Sequence, residues 1–404
     1  MYWFSKAKKN FFSCLGRLIN KDSVKISDYF PFEVDWKLQN AIKYLFFIIM
    51  FIPLLGLSQE IFWDIDGVPV RQGNHSLWRP NAVIDSSDAT IFIWRDSKNG
   101  SPVLYVQKID DTGNLLWTEG GIIISYNMGL SDDFKIISDG CGGAIIVWSN
   151  LPQNRDRDVF VQRISADGQV LCKNRIIPVV VSPDSQVNVA VGSDGAGGVI
   201  VVWENIPEGS PFSNIYAQRI DENGNIKWQT NGIEICPEGN SQWKPVVIEG
   251  DDSSIIIGWI DRRDGYRKIY VQKVDTLGTL QWNNDGVRVC RVNVNQWYPC
   301  FVPDDSGGVI ISWYDSRNDT CKVYTQRIGS DGNKRWDGDG VRVCYGYETQ
   351  LTYGICPDDM NGAYIFWNEY RSNRIRIYCQ RINSHGELQW DPYGVEIFNI
   401  EGYL

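Results

Sequence analysis

Beyond residue 60 the chain alternates short apolar runs with polar, glycine-rich turns, and the period is that of strands. The stretch from Trp282 to Arg335 shows it in full. Val287 and Val289 flank Arg288, Val309 to Ser312 is rich in β-branched residues, and Val323-Tyr-Thr-Gln-Arg-Ile328 is made largely of strand formers. Between them lie Asp304-Asp-Ser-Gly-Gly308 and Ser330-Asp-Gly332, whose residues tolerate positive φ and predict tight hairpins. Four strand candidates fit this one stretch, and no helical periodicity appears after residue 60.

The stretch then recurs. Its opening position falls at Trp63, Trp117, Cys172, Trp228, Trp282, Trp336 and Trp390, at a nearly constant interval. A second tryptophan follows each of the first six at one fixed distance, at Trp94, Trp148, Trp203, Trp259, Trp313 and Trp367. A glutamine precedes each following start by another fixed distance, at Gln107, Gln162, Gln218, Gln272, Gln326 and Gln380. Length variation is therefore confined between the second tryptophan and the glutamine, where a surface turn tolerates insertion. Four short antiparallel strands per period predict an all-β fold, a β-propeller of six four-stranded blades over residues 60–404. The strand Trp63 to Val70 is then left over, and the alternative is a seven-bladed, incomplete ring. A spare strand edge invites pairing, so it is expected to be paired or covered.

The repeat carries Trp-x-Asp-x-Arg, then Ile-Tyr-x-Gln-Arg-Ile-Asp-x-x-Gly-x-x-x-Trp, then Gly-Val-x-Val and Gln-x-x-Pro. This resembles the propeller repeats of exported bacterial proteins, over residues 63–398. The turn from Asp221 to Trp228 also resembles the Asp-box hairpin of sialidase-type propellers. The resemblance implies architecture. It implies no sialidase activity, since the arginine cluster and Arg-Ile-Pro signature of sialidases are absent from the sequence.

Composition changes the picture mainly at the N-terminus. Residues 1–43 form a polar leader with Lys6, Lys8, Lys9, Arg17, Lys21, Lys25, Lys37 and Lys43. Residues 44–58 follow, with an uncharged apolar run from Tyr44 to Leu57. That run is short for a spanning helix, which needs about 20 residues, and suits a secretory signal core of about 7 to 15. It is read either as a cleaved signal or as a membrane anchor. Both place the propeller outside the cytoplasm, secreted or attached to the cell envelope. A net charge of −10 argues against a nucleic-acid surface. Nine cysteines beyond the leader, an odd number without Cys-x-x-Cys, imply no complete disulfide framework. His75 and His385 alone give a zinc site or a Ser-His-Asp triad little to draw on.

Two sets of residues are candidates for ligand binding at the end of the blades where the connections lie. Trp78, Trp243 and Trp297 share one repeat position, each at the same distance after a repeat start, and aromatic planes there can stack on sugar rings or peptide side chains. The pairs Asp261/Arg263 and Asp315/Arg317, with Asp96/Lys98 and Glu369/Arg371 as counterparts, are read as recurring salt bridges or as a polar ligand ring. Because recurring residues are explained by what blades have in common, the sequence favours a non-catalytic binding propeller for a carbohydrate or protein ligand, with no catalytic residue, metal or cofactor assigned. The alternatives are a glycoside hydrolase or lyase using carboxylates among Asp261, Asp315 and Glu369, and a structural spacer of the envelope. The export reading has a direct check: residues 1–70 fused to a reporter active only outside the cytoplasm are expected to give signal, and a reporter held in the cytosol would refute it.

Overall fold

The computed structural model describes residues 68–70, 77–96, 102–126, 133–150, 157–171, 176–237, 241–250, 254–318, 320–346, 348–371 and 374–399. The leader, the apolar run and Trp63 lie outside them. No helix among the described residues is long and apolar enough to cross a membrane.

The described chain is all β, in six sheets taken in sequence order. The first blade holds β1 (Leu77–Ile84), β2 (Thr90–Asp96), β3 (Val103–Ile109) and β4 (Ile122–Ser125). The second holds β5 (Phe134–Ser138), β6 (Ala144–Asn150), β7 (Asp158–Ile164), β8 (Val170–Leu171) and β9 (Ile177–Val180). The third holds β10 (Ser185–Ser193), β11 (Val199–Ile206), β12 (Asn214–Ile220) and β13 (Ile233–Glu234), and the fourth β14 (Gln242–Glu249), β15 (Ile255–Asp261), β16 (Lys268–Val274) and β17 (Val287–Arg288). The fifth holds β18 (Gln296–Pro303), β19 (Val309–Asn318), β20 (Thr320–Ile328) and β21 (Val341–Arg342), and the sixth β22 (Gln350–Pro357), β23 (Ala363–Arg371), β24 (Arg374–Ile382) and β25 (Val395–Asn399). The expected blade is observed with one variation. In the second, the outer position is shared by β8 and β9, which pair with opposite ends of β7. Of the expected spare strand, only residues 68–70 are described, and they form no strand.

First strands of consecutive blades touch one another from β1 through β5, β10, β14 and β18 to β22, so these strands make the inner ring. The apolar cores lie between neighbouring blades: one cluster joins Ile200, Val202 and Ile215 to Ile255, Ile257 and Trp259, and the next joins Ile256, Ile269 and Val271 to Val309, Ile311 and Trp313.

The recurring residues now have physical causes. The second tryptophan is buried in every blade and stacks across the strand pair on an aromatic ring, as Trp259 does on Tyr270 at 6.0 Å and Trp313 on Tyr324 at 6.2 Å. The buried glutamine bonds backbone across strands. Gln218 accepts from the N–H groups of Arg219 (2.9 Å) and Trp228 (3.0 Å) and donates to the Gln229 carbonyl at 2.8 Å. It thereby closes the turn before the outer strand. The repeat-opening tryptophan reaches the next blade. The indole N–H groups of Trp117, Trp228, Trp282 and Trp336 donate at 3.0 to 3.1 Å to the carbonyls of Ala166, Thr276, Ser330 and Ser384. The Trp282 ring lies on Gly332, whose φ of 78° and lack of a side chain make that approach available; a Cβ there would meet the indole at 2.9 Å.

A further tie escaped the sequence reading. The arginine after the glutamine pairs with the aspartate of its own first hairpin, in Arg163–Asp139, Arg219–Asp194, Arg327–Asp304 and Arg381–Asp358, at 2.7 to 3.0 Å. Its other nitrogen crosses to the next blade, from Arg219 to the Thr276 carbonyl at 3.0 Å and from Arg327 to the Ser384 carbonyl at 3.2 Å. The Asp-box-like turns hold themselves in the same way: the Asp221 carboxylate takes the N–H groups of Asn223 and Asn225 at 3.0 and 2.8 Å.

Replacing Gln218 by Leu leaves buried N–H and C=O groups unpaired, which costs roughly 1 to 3 kcal/mol for each group left unsatisfied. The variant is expected to lose about 2 kcal/mol or more in urea unfolding, and a loss below about 0.5 kcal/mol would contradict this role.

Candidate functional site

The two sequence-predicted sets meet at one end of the blades but on opposite faces of the strands. Cross-strand register places Gln242 against Asp261 and Trp243 against Ile260, then Gln296 against Asp315 and Trp297 against Tyr314. Successive side chains alternate sides, so carboxylates and tryptophans diverge.

Asp261 and Asp315 are fully buried. Asp315 accepts from the Trp313 indole at 2.9 Å and pairs with Arg317 at 2.6 Å, while Asp261 accepts from the Trp259 indole at 3.2 Å and pairs with Arg263. Each arginine then runs on inside the blade. Arg317 donates to the Asp339 carbonyl at 2.7 Å and lies 3.7 Å from the Tyr324 ring centre; Arg263 donates to the Asp285 carbonyl at 3.1 Å and lies 4.3 Å from that of Tyr270. Both carboxylates and most of the guanidinium N–H groups are thus engaged within the fold, the buried Arg263 Nε being left without a partner among the described residues. In the counterpart pairs, Lys98 and the Arg371 side chain lie outside what is described. Glu369 is buried, accepting from Gln350 at 3.0 Å.

Of the tryptophans, Trp78 is 54% exposed and Trp243 and Trp297 are partly exposed. Arg267 covers one ring, its guanidinium carbon 4.1 Å from the Trp297 centroid.

Immediately after these tryptophans the inner strands bulge. Register shifts fall between Trp78 and Asn81, Val187 and Ala190, Trp243 and Val246, and Trp297 and Cys300. The residue at the bulge is left-handed in each: Arg79 (φ 49°), Asn188 (52°), Lys244 (55°) and Tyr298 (47°). Non-glycine residues rarely sit there, and a bulky tyrosine less than most. A bulge re-aims its side chain out of the sheet alternation. The second blade has Asp133 at the same repeat position, and the sixth has Thr352. Next to them on the second strand, one residue after the buried tryptophan, stand Arg95, Ser149, Glu204, Ile260, Tyr314 and Asn368. Both positions change identity in every blade.

These positions join the blades. In the second blade, Asp133 accepts the Val189 N–H of the third through both oxygens at 3.1 and 3.0 Å. Glu204 of the third accepts the Asn188 side-chain amide at 2.7 Å and, across the next boundary, the Lys244 N–H. Lys244 of the fourth holds its ammonium 5.8 Å from the Tyr298 ring centre in the fifth, and Tyr298 stacks on Tyr314 at 5.8 Å.

The electrostatics single out Glu204. Burial pushes its carboxyl up to about 7, with the hydrogen bonds from Lys244 and Asn188 opposing and the Asp133 charge adding to the rise. Asp133 is raised too, through burial, against the Val189 N–H and the charges of Lys135 and Arg157. The result is a proton-holding carboxyl beside a second carboxyl, an amide, an ammonium and two phenols, on one arc from the second blade to the fifth.

Sequence reasoning missed this set because it followed the residues that recur. The signal lay in the position just after that of Trp78, Trp243 and Trp297, and in the position just after the buried second tryptophan. At both, the repeat keeps its spacing and changes its chemistry.

No family model matches the chain, and no curated protein matches it in sequence. Solved structures match in fold. An ulvan lyase described as a new family of polysaccharide lyase aligns with a TM-score of 0.55 at 11% identity, covering 82% of this chain and 87% of that one. Its form bound to -[GlcA(1-4)Rha3S]- aligns at 0.54 and 11%, covering 79% and 82%. An α-L-arabinanase from Penicillium chrysogenum aligns at 0.41 and 10%, covering 77% and 96%. At this identity the likeness to the lyase is one of fold.

Glu204 binds its proton up to about pH 7 in the folded chain, whereas an ordinary glutamate releases it near 4.5. The folded state therefore holds the extra proton in that window, and stability falls as pH rises through it. The span corresponds to about 3 kcal/mol at most. Urea midpoints compared at pH 5 and pH 8 are expected to fall more for the parent than for Glu204→Gln; equal slopes would show that Glu204 titrates normally.

Proposed function

We propose that this propeller is a carbohydrate-cleaving enzyme, a glycoside hydrolase or a lyase, with Glu204 as the group that transfers the proton at the scissile bond. The observation that carries the reading is the Glu204 carboxyl on β11, raised to about 7 while it accepts from the Asn188 amide and, across the blade boundary, from the Lys244 N–H. Breaking a glycosidic bond requires a proton for the departing oxygen, and an acid whose affinity lies near the working pH supplies it best. A repeat of identical blades gives no reason for such a group. The polysaccharide lyase among the solved propellers supports carbohydrate as the ligand class.

Trp243 precedes Lys244, so the proposed binding face runs from Glu204 past Trp243 to Trp297, with Trp78 on the first blade as a further apolar contact. Asp261/Arg263 and Asp315/Arg317 support this face from beneath. Repulsion from Asp133 adds to the rise at Glu204. Export of residues 60–404, by signal or anchor, belongs to the same reading, since polysaccharides are met outside the cell.

The test is cleavage of a polysaccharide panel by the full chain. Glu204→Gln is expected to lower kcat about 10²- to 10⁴-fold with little loss of thermal stability near pH 7. The parent rate should decline as pH rises past about 7, as the acid form of Glu204 is lost. Asp315→Asn is expected to show itself first as a lower Tm, because it weakens a buried pair. Full activity in Glu204→Gln would remove the assignment.

A further inference from the structure

The boundary between the fourth and fifth blades holds two cations laid on two neighbouring aromatic rings. Lys244 lies 5.8 Å from the ring centre of Tyr298, and Arg267 lies 4.1 Å from that of Trp297. Both cations come from the fourth blade and both rings from β18 of the fifth. Neither cation makes a contact ion pair with a carboxylate among the described residues, although the Lys244 charge is felt at Glu204 and the chain carries 49 acidic side chains against 39 basic ones. By contrast the half-buried hairpin arginines are matched to an aspartate, as Arg219 is to Asp194 and Arg327 to Asp304. Lys244 is exposed, its backbone is held left-handed at φ 55°, and its N–H is fixed by Glu204.

We infer that this boundary is an anion subsite, and that the polysaccharide taken by the proposed Glu204 site carries acidic groups on its sugar rings. The inference rests on that site for its carbohydrate and goes beyond it in naming the charge. A cation seated on an aromatic face can still turn its remaining N–H groups to an anion. An ammonium acts there as a point charge and a guanidinium as a planar fork, so carboxylate and sulfate substituents are both served. A protein of net charge −10 repels an anionic polymer at long range, and binding then requires local positive charge without an internal partner. Glu204 adds no opposing charge while it holds its proton. Asn188, whose amide is bonded to Glu204, extends the same arc.

The experiment uses the full chain and three polymers: a polyuronate, the same backbone with its carboxyls reduced to alcohols, and a sulfated neutral glycan. Binding by calorimetry and cleavage by reducing-end release are read on each. Binding is expected for at least one acidic polymer, at least tenfold tighter than for the reduced one, and weaker as salt rises. Lys244→Met keeps the backbone N–H that Glu204 uses and most of the side-chain length. It is expected to weaken binding of the acidic polymer about tenfold and to raise KM in proportion, with Tm unchanged, and Lys244→Arg should restore most of it. Arg267→Met tests the second cation in the same way. The two acidic arms separate carboxylate from sulfate. Equal binding of the reduced polymer, binding of none of the three, or acidic-polymer affinity unchanged in both Met variants would overturn the inference. Charge-dependent binding without any cleavage would instead remove the catalytic reading and leave the subsite standing.

Discussion

At two blade boundaries the fold is tied through one carbonyl in the second hairpin turn. The Thr276 carbonyl receives both the Trp228 indole at 3.1 Å and the Arg219 guanidinium at 3.0 Å, and the Ser384 carbonyl receives Trp336 and Arg327 at 3.0 and 3.2 Å. A carbonyl oxygen has two lone pairs, and here both donors arrive from the preceding blade. This sets how far one blade stands from the next at the outer end, while apolar clusters set it nearer the axis. With both fixed, the inner strands approach closely enough for a carboxylate of one blade to take a backbone N–H of its neighbour. Glu204 reaches Lys244 across the boundary tied at Thr276, and Asp133 reaches Val189 across the boundary where Arg163 donates to the Glu222 carbonyl.

Most of the fold was legible in the sequence because the same contact recurs and so demands the same residue. Gln218 is a glutamine because one side chain must both accept from Trp228 N–H and donate to the Gln229 carbonyl. Trp313 needs a ring opposite it and a glycine beside it, and Tyr324 and Gly340 supply them. The site was much less legible, for the converse reason. Glu204, Lys244 and Tyr314 occupy repeat positions where no shared contact constrains the residue, so their identities looked like background. Lys244 gave no hint of its left-handed backbone, since that conformation is ordinarily signalled by glycine. Asp315 and Arg317 were visible as a pattern, but a pattern of charges does not disclose that the carboxylate is dry and bonded to Trp313.

The contrast between the two classes of position is also energetic. At recurring positions the glutamines, the repeat-opening tryptophans and the hairpin arginines are matched within the blade or at its border, while the buried indole N–H groups of Trp94, Trp148, Trp203 and Trp367 are not matched among the described residues. At the variable positions the chain accepts cost: a carboxyl whose ionisation is opposed by burial, and a tyrosine at φ 47°. Costs of this kind persist when the surroundings over-determine them. The framework of tryptophan, glutamine and arginine provides that surplus of constraint.

The indole-to-carbonyl tie is head-to-tail, which gives the blades a sense of direction like that of a zip. Four blades offer a tryptophan forward to a carbonyl of the next, and the second, with Cys172 at that position, does not. Trp390, on the sixth blade, is 38% exposed, where its four tryptophan counterparts among the described residues are 7 to 9% exposed. A blade in this series is therefore an interchangeable part along the repeat but not across it. A duplication or deletion of one whole period keeps every tie in register, while a cut at any other length would strand a donor on one side and an acceptor on the other.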